Sequence, residues 1–176
     1  MKHRKISYLL LLVSLVLSGV AFGQGAYIDS LKRALGSAKH DTGVCRILSL
    51  IIEAEHDLMQ VKVYNERLMN TSLKALKSIR VSSPEYKTVR SFYAAALSNQ
   101  GYLEQEAGRI ANALELYESA MKIQEEVGDN TNLAVTLNNF GGIFYNQGDI
   151  PKALEYYHRS LKIREASGYK EGIAQS

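Results

Sequence analysis

The sequence predicts an all-α protein, an α-solenoid of antiparallel helix pairs repeating every 40 residues and preceded by a signal peptide. Three observations carry this. The stretch Gly108 to Gly128 returns at Gly148 to Gly168 with ten of 21 aligned positions identical, and self-similarity at a fixed period is the mark of stacked supersecondary units. Long segments after Gln24 have their apolar residues at helical spacing. The only two prolines, Pro84 and Pro151, fall where helices are expected to begin.

The first residues do not belong to the array. Lys2, Arg4 and Lys5 form a positive region, Ile6 to Val20 an apolar run, and Ala21-Phe22-Gly23 a cleavage site of small-x-small type, so residues 1–23 read as a signal peptide. The run is short against the roughly 20 residues that span a bilayer. The expected location is periplasmic or secreted in a bacterium, with membrane contact only if this segment is retained as an anchor. Residues 1–23 hold three of the 21 Lys and Arg and none of the 18 Asp and Glu, so the rest of the chain balances 18 cations against 18 anions. The sequence pI of about 8.9 therefore gives no support to a nucleic-acid partner. Cys45 is the only cysteine, which excludes an intramolecular disulfide, and its neighbours Val44, Ile47 and Leu48 point to a buried thiol.

In chain order, residues 24–41 carry an N-terminal helix from Ala26 to Lys39, with Ile28, Leu31 and Leu35 on one side and Gly36 weakening its last turn. Residues 42–83 form a divergent first helix pair. Asp41-Thr42 offers a cap, Val44, Ile47, Leu48, Ile51 and Ile52 mark a helix to about His56, and Val63, Leu68, Leu73 and Leu76 mark a second from about Val61 to Arg80. Residues 84–128 are a full pair. Ser83, Pro84 and Glu85 start its first helix, which runs to about Ala107, and Ile110 to Val127 forms the second. Gly128 ends that helix and Asp129-Asn130 caps the next. Residues 129–168 repeat the scheme with helices at about Thr131 to Asn146 and Ile150 to Ala166. Residues 169–176 have the phase of a further, incomplete repeat, which leads to the expectation of a longer protein or a truncated reading frame.

Two sequence patterns resemble chemical sites, and both read as surface or packing features. Glu53-x-x-His56 and Glu155-x-x-His158 have the spacing used in di-iron bundles, but they lie in non-adjacent units and lack the further glutamates such sites need, so no metal is expected. Ser, His and Asp are scattered over capping and surface positions, and Gly141-Gly142 lies inside a helix pattern and forms no phosphate loop. No catalytic residue and no cofactor is expected.

The residues Leu137, Phe140, Gly141 and Phe144, the turn Gly148-Asp149, and Ala153, Tyr157 and Ser160 together resemble the tetratricopeptide repeat. Leu97, Gly101, Gly108, Ala113, Tyr117 and Ala120 fill the same positions one copy earlier, whereas Gln100 and Glu104 depart from the large apolar residues of the pattern. Small residues at Gly101/Gly141 and Ala113/Ala153 let paired helices approach closely, and Tyr117/Tyr157 fill the space between pairs. The order of export signal, divergent pair and 40-residue repeats is also similar to the extracytoplasmic front of bacterial sensor histidine kinases and nucleotide cyclases. That resemblance implies a sensor segment as the alternative to an exported protein- or peptide-binding scaffold.

The tetratricopeptide resemblance further implies a concave face lined by the first helix of each pair. Here its positions are Ser98, Tyr102, Gln105 and Glu106 in one copy, and Asn138, Tyr145 and Asn146 in the next, with Gly142 in the place of Tyr102. Such residues suit an extended peptide, since amides bond its backbone and tyrosines add apolar area. Tyr102 and Tyr145 could equally pack against a following repeat. No Lys or Arg falls in these positions, which disfavours capture of a terminal carboxylate. The open end of the array is expected to expose Tyr156, Leu161 and Ile163 and to self-associate.

Overall fold

The computed structural model describes residues 24–167, so the signal segment and the incomplete repeat at 169–176 lie outside the described residues. Among those described there are seven helices and no strand. They are α1 (24–37), α2 (Asp41–Ala54), α3 (Leu58–Leu76), α4 (Pro84–Glu106), α5 (Ile110–Val127), α6 (Asn130–Asn146) and α7 (Ile150–Ser167). Consecutive helices pack together, and α2, α4 and α6 also touch in succession, which makes an array of stacked pairs.

Local chemistry sets most of the boundaries. The Ser83 side chain accepts a hydrogen bond from Tyr86 N and Pro84 occupies the first turn of α4. Asp129 accepts from Asn132 N to open α6, and Asp57 accepts from Met59 N to open α3, a cap not foreseen from sequence. Helices α4, α5 and α6 are followed by Gly108, Gly128 and Gly148, all near φ +75°, a left-handed conformation that disfavours any side chain.

Three expectations need correction. Asp41 and Thr42 do not cap α2; the N-cap is His40, without a side-chain bond. Asp41 instead pairs with Lys74 at 3.3 Å, and the Thr42 hydroxyl donates to Glu85 at 2.5 Å, tying α2 to α3 and to the start of α4. On α3, Val63 and Leu73 are exposed, 56% and 38%, and the buried seam is Val61, Asn65, Leu68, Ser72 and Ala75. Two of these are polar, and both are bonded: Asn65 Nδ2 donates to the Ala96 carbonyl at 3.0 Å, and the Ser72 hydroxyl donates to the Leu68 carbonyl at 2.8 Å. A pattern read from apolar letters alone missed the true face because bonded polar groups are tolerated inside. The third correction is Tyr156, which does not face the open end but packs on Phe140 and Phe144 of α6, with ring centroids 4.7 and 5.6 Å away.

The core forms two clusters. Leu31 and Leu35 of α1 close over Cys45, Leu48 and Ile51 of α2, together with Leu68 and Ala96. The second cluster joins Ala113 and Tyr117 of α5 to Phe140, Ile143 and Phe144 of α6 and Ala153 of α7. Tyr117 is fully buried, meets Phe140 edge-on at 6.4 Å, and donates its hydroxyl hydrogen bond to Gln105 Oε1 at 3.3 Å. Burial of a side chain of this size contributes about 1.5–3 kcal/mol.

At Gln100 and Glu104, where the repeat pattern calls for bulk, a polar network stands instead. Glu104 pairs with Arg109 through Nε and through Nη2 at 3.0 Å, and accepts from Gln100 at 3.1 Å. The Arg109 bond, helped by Gln100, holds the Glu104 carboxyl down to about 2, more than offsetting the opposing effect of desolvation.

Candidate functional site

The alignment of α2, α4 and α6 creates a groove of about 780 Å3. Its walls follow helical spacing. Ser49, Ile52 and Glu53 come from α2; Ala95, Asn99 and Tyr102 from α4; Asn132, Val135 and Asn139 from α6. The α3 start adds Leu58 and Val61, and the α7 end adds Ile163 and Arg164.

Amides dominate the middle of the groove. Asn99 and Asn139 occupy equivalent positions 40 residues apart, one on each helix. Asn99 Nδ2 donates to Asn65 Oδ1 at 3.2 Å, which fixes the orientation of its side chain. Asn139 lies near the Tyr117 hydroxyl, whose acidity is suppressed chiefly by burial and then by the nearby Tyr102 and Glu106. Both amides are half-buried and Asn99 is held by the scaffold, which presents donors and acceptors with part of their conformational entropy already lost. Val135, 44% exposed, adds an apolar contact beside them, and Ile52 adds another across the groove. At the α2 end, burial pushes the Glu53 carboxyl above its ordinary value.

The seven residues expected on this face divide. Tyr102 lines the groove and is 38% exposed. Ser98 does not, being only 7% exposed and receiving a hydrogen bond from the Thr136 hydroxyl at 3.0 Å. Gln105 is half-buried and serves as acceptor for Tyr117. Glu106 and Asn146 are exposed and Asn138 half-buried, and none of the three lines the groove. Tyr145 is 60% exposed and lies outside the groove, near Tyr157, whose ionisation is suppressed chiefly by burial and then by Tyr145. The expected positions were thus one residue out of phase at Ser98 and Asn138, whose neighbours Asn99 and Asn139 face inward. A signal was present: only four of 15 positions match between 93–107 and 133–147, and this asparagine is one of them. Arg164, 4% exposed, lines the α7 end of the groove.

The two Glu-x-x-His motifs do not converge. Glu53 lies on α2, His56 beyond its end with Nε2 2.8 Å from Gln24 Nε2, and Glu155 and His158 are exposed on α7. Among the described residues no group of three or more His, Cys, Asp and Glu could hold a metal ion. No described helix is long and apolar enough to cross a membrane.

A stack of helix pairs with one continuous amide-lined groove defines an α-solenoid of the interaction-scaffold class. Residues 92–166 match the family model described as tetratricopeptide repeat, and the architecture is the all-α solenoid of that repeat. Repeats of this family mediate protein–protein interaction. No curated protein matches the chain. The crystal structure of BtubC (BKLC) from P. vanneervenii is similar in fold, with a TM-score of 0.57 at 19% identity, over 81% of this chain and 57% of that one. The chain thus spans little more than half the length of that protein, and the likeness is one of fold.

Proposed function

We propose that the chain is an exported scaffold that binds an extended segment of another protein in the groove of α2, α4 and α6. The observation that carries this is the pair Asn99 and Asn139, equivalent amides of the two repeats that face the same groove, with Asn99 anchored by the buried Asn65. An extended chain rises about 3.3 Å per residue and offers a backbone carbonyl or N–H at each step, so fixed amides can hold it whatever its side chains. Selectivity would come from Tyr102, Ile52 and Val135, which provide apolar contact, and from Glu53, which favours a cationic side chain over an anionic one. The periplasmic or secreted location rests on Lys2, Arg4, Lys5, the apolar run Ile6 to Val20 and Ala21-Phe22-Gly23.

The test is selection of 12-residue peptides from a displayed random library on the full chain, followed by competition among the recovered clones. Clones that compete for one site and lose binding when Tyr102→Ala is introduced support the groove. Clones that bind the Tyr102→Ala chain unchanged contradict it.

A further inference from the structure

The groove repeats its pattern of side chains across three helices. Leu48 and Ile51 of α2, Ala94 and Leu97 of α4, and Ala134 and Leu137 of α6 are buried at the same interval of three residues, which puts the three helices in one register. One residue after the first of each pair, Ser49, Ala95 and Val135 line the groove, and two residues after the second, Glu53, Asn99 and Asn139 line it. Asn99 and Asn139 thus belong to a row of three polar side chains, and the α2 member of that row is a carboxylate.

Glu53 stands where the fold alone gives it little support. It lies in the last turn of α2, which holds no basic residue, so its charge adds to the negative end of the helix dipole, a place that suits Lys or Arg. Among the described residues no cation pairs with it. The side chain is exposed, and the groove wall takes enough water from its carboxyl to raise the pKa. Glu55 beside it is used by the chain itself, accepting from the backbone N–H groups of His56 and Asp57 at 3.0 and 3.2 Å. Arg164, the Lys or Arg side chain of the groove wall, lies on α7 at the other end. A charge left unfavourable by its own surroundings, at a regular position of a candidate site, marks a group that a ligand completes.

We propose that Glu53 takes a Lys or Arg side chain of the bound segment and so fixes the register of that segment along the groove. Neighbouring helices lie about 8–10 Å apart and an extended chain rises about 3.3 Å per residue, so successive positions of the row meet the segment about three residues apart. The cation therefore stands about three residues from the one held at Asn99 and about six from the one held at Asn139. This role for Glu53 rests on the groove being a peptide site, and adds a charge requirement at one place in the segment.

The probe is a displayed library of random 12-residue peptides, selected in parallel on the full chain and on its Glu53→Gln and Glu53→Lys variants. Lys or Arg should be enriched at one position of the wild-type clones, fall to the library background in the Glu53→Gln clones, and give way to Asp or Glu in the Glu53→Lys clones. A wild-type clone should lose about fivefold in affinity on Glu53→Gln, and the same clone with its cation changed to Gln should bind both chains alike. Circular dichroism of both variants should match wild type, since Glu53 pairs with no described residue. Wild-type clones that lose binding on Tyr102→Ala yet carry no enriched cation overturn the role of Glu53 and leave the groove standing. Clones indifferent to Tyr102→Ala remove the groove and this role together. A cation enriched equally on all three chains assigns the preference to another residue and overturns the role as well.

Discussion

The ring of Tyr117 occupies the space that a side chain at Gly101 would need, with a Cβ built on Gly101 standing 2.8 Å from Tyr117 Cε1. The same relationship recurs between Gly141 and Tyr157 at 2.9 Å. Because Tyr117 is fully buried its ring cannot give way, and Gly101→Ala should cost about 1–3 kcal/mol from overpacking. Replacing a mid-helix glycine by alanine returns about 1 kcal/mol, so the variant should be destabilised by about 1 kcal/mol net. Gly141→Ala should cost less, since Tyr157 is only half-buried, although the Ala153 carbonyl at 3.3 Å also crowds the added carbon. Urea unfolding of both variants measures the difference; a Gly101→Ala chain more stable than wild type would contradict the packing described.

Gln124 is fully buried in α5, and neither its Nε2 nor its Oε1 has a hydrogen-bond partner. An unmet buried amide costs about 1–3 kcal/mol, and methionine has a similar shape without the polar atoms. Gln124→Met should therefore raise the stability by about 1 kcal/mol or more. A lower melting temperature for this variant would show that the amide is satisfied in solution.

Cys45 is fully buried on α2, and that burial, followed by the neighbouring Asp41, pushes its thiol up to about 11. A thiol kept neutral and inaccessible should not react with Ellman's reagent at pH 8 in the folded chain and should react fully in denaturant. The raised value also means that the contribution of this group is intact below pH 9 and is lost as the pH rises through about 11. Rapid labelling without denaturant would place Cys45 at the surface.

Glu104 should leave a signature at the acidic end. With its carboxyl held down to about 2 by Arg109, it stabilises the fold above the ordinary carboxylate range, and this contribution disappears as the pH falls toward 2. Glu104→Gln should be less stable than wild type near pH 6 and should converge with it near pH 2. Parallel stability curves over that interval would remove the role given to the Glu104–Arg109 pair.

The helices were legible because local signals and periodicity agree: Ser83-Pro84 and Asp129 mark starts that the structure keeps, and Gly128 marks a stop. The Tyr117 and Gly101 positions could also be read, since both recur 40 residues later. The seam of α3 could not, because Asn65 and Ser72 are buried through bonds to Ala96 and Leu68 that exist only after folding. The groove was half legible for a related reason. Tyr102 was placed on it, but its phase hangs on which side of α4 faces α6, and one residue of helix rotates a side chain by about 100°. Ser98 therefore falls into the contact with Thr136 and Asn99 into the groove. The amides most suited to bind a peptide backbone lie where the repeat does match, because a backbone is the same at every register.

The most direct measurement of the central claim is the affinity of a library-selected extended peptide for the wild-type chain and for Asn99→Ala/Asn139→Ala, with Tyr145→Ala as control. Loss of the two groove amides should weaken binding about 5- to 150-fold, given about 0.5–1.5 kcal/mol for each hydrogen bond. The Tyr145→Ala chain, altered outside the groove, should bind as wild type does. Undiminished binding to the double variant, with loss in the Tyr145→Ala chain, would place recognition elsewhere and contradict the groove as the binding site.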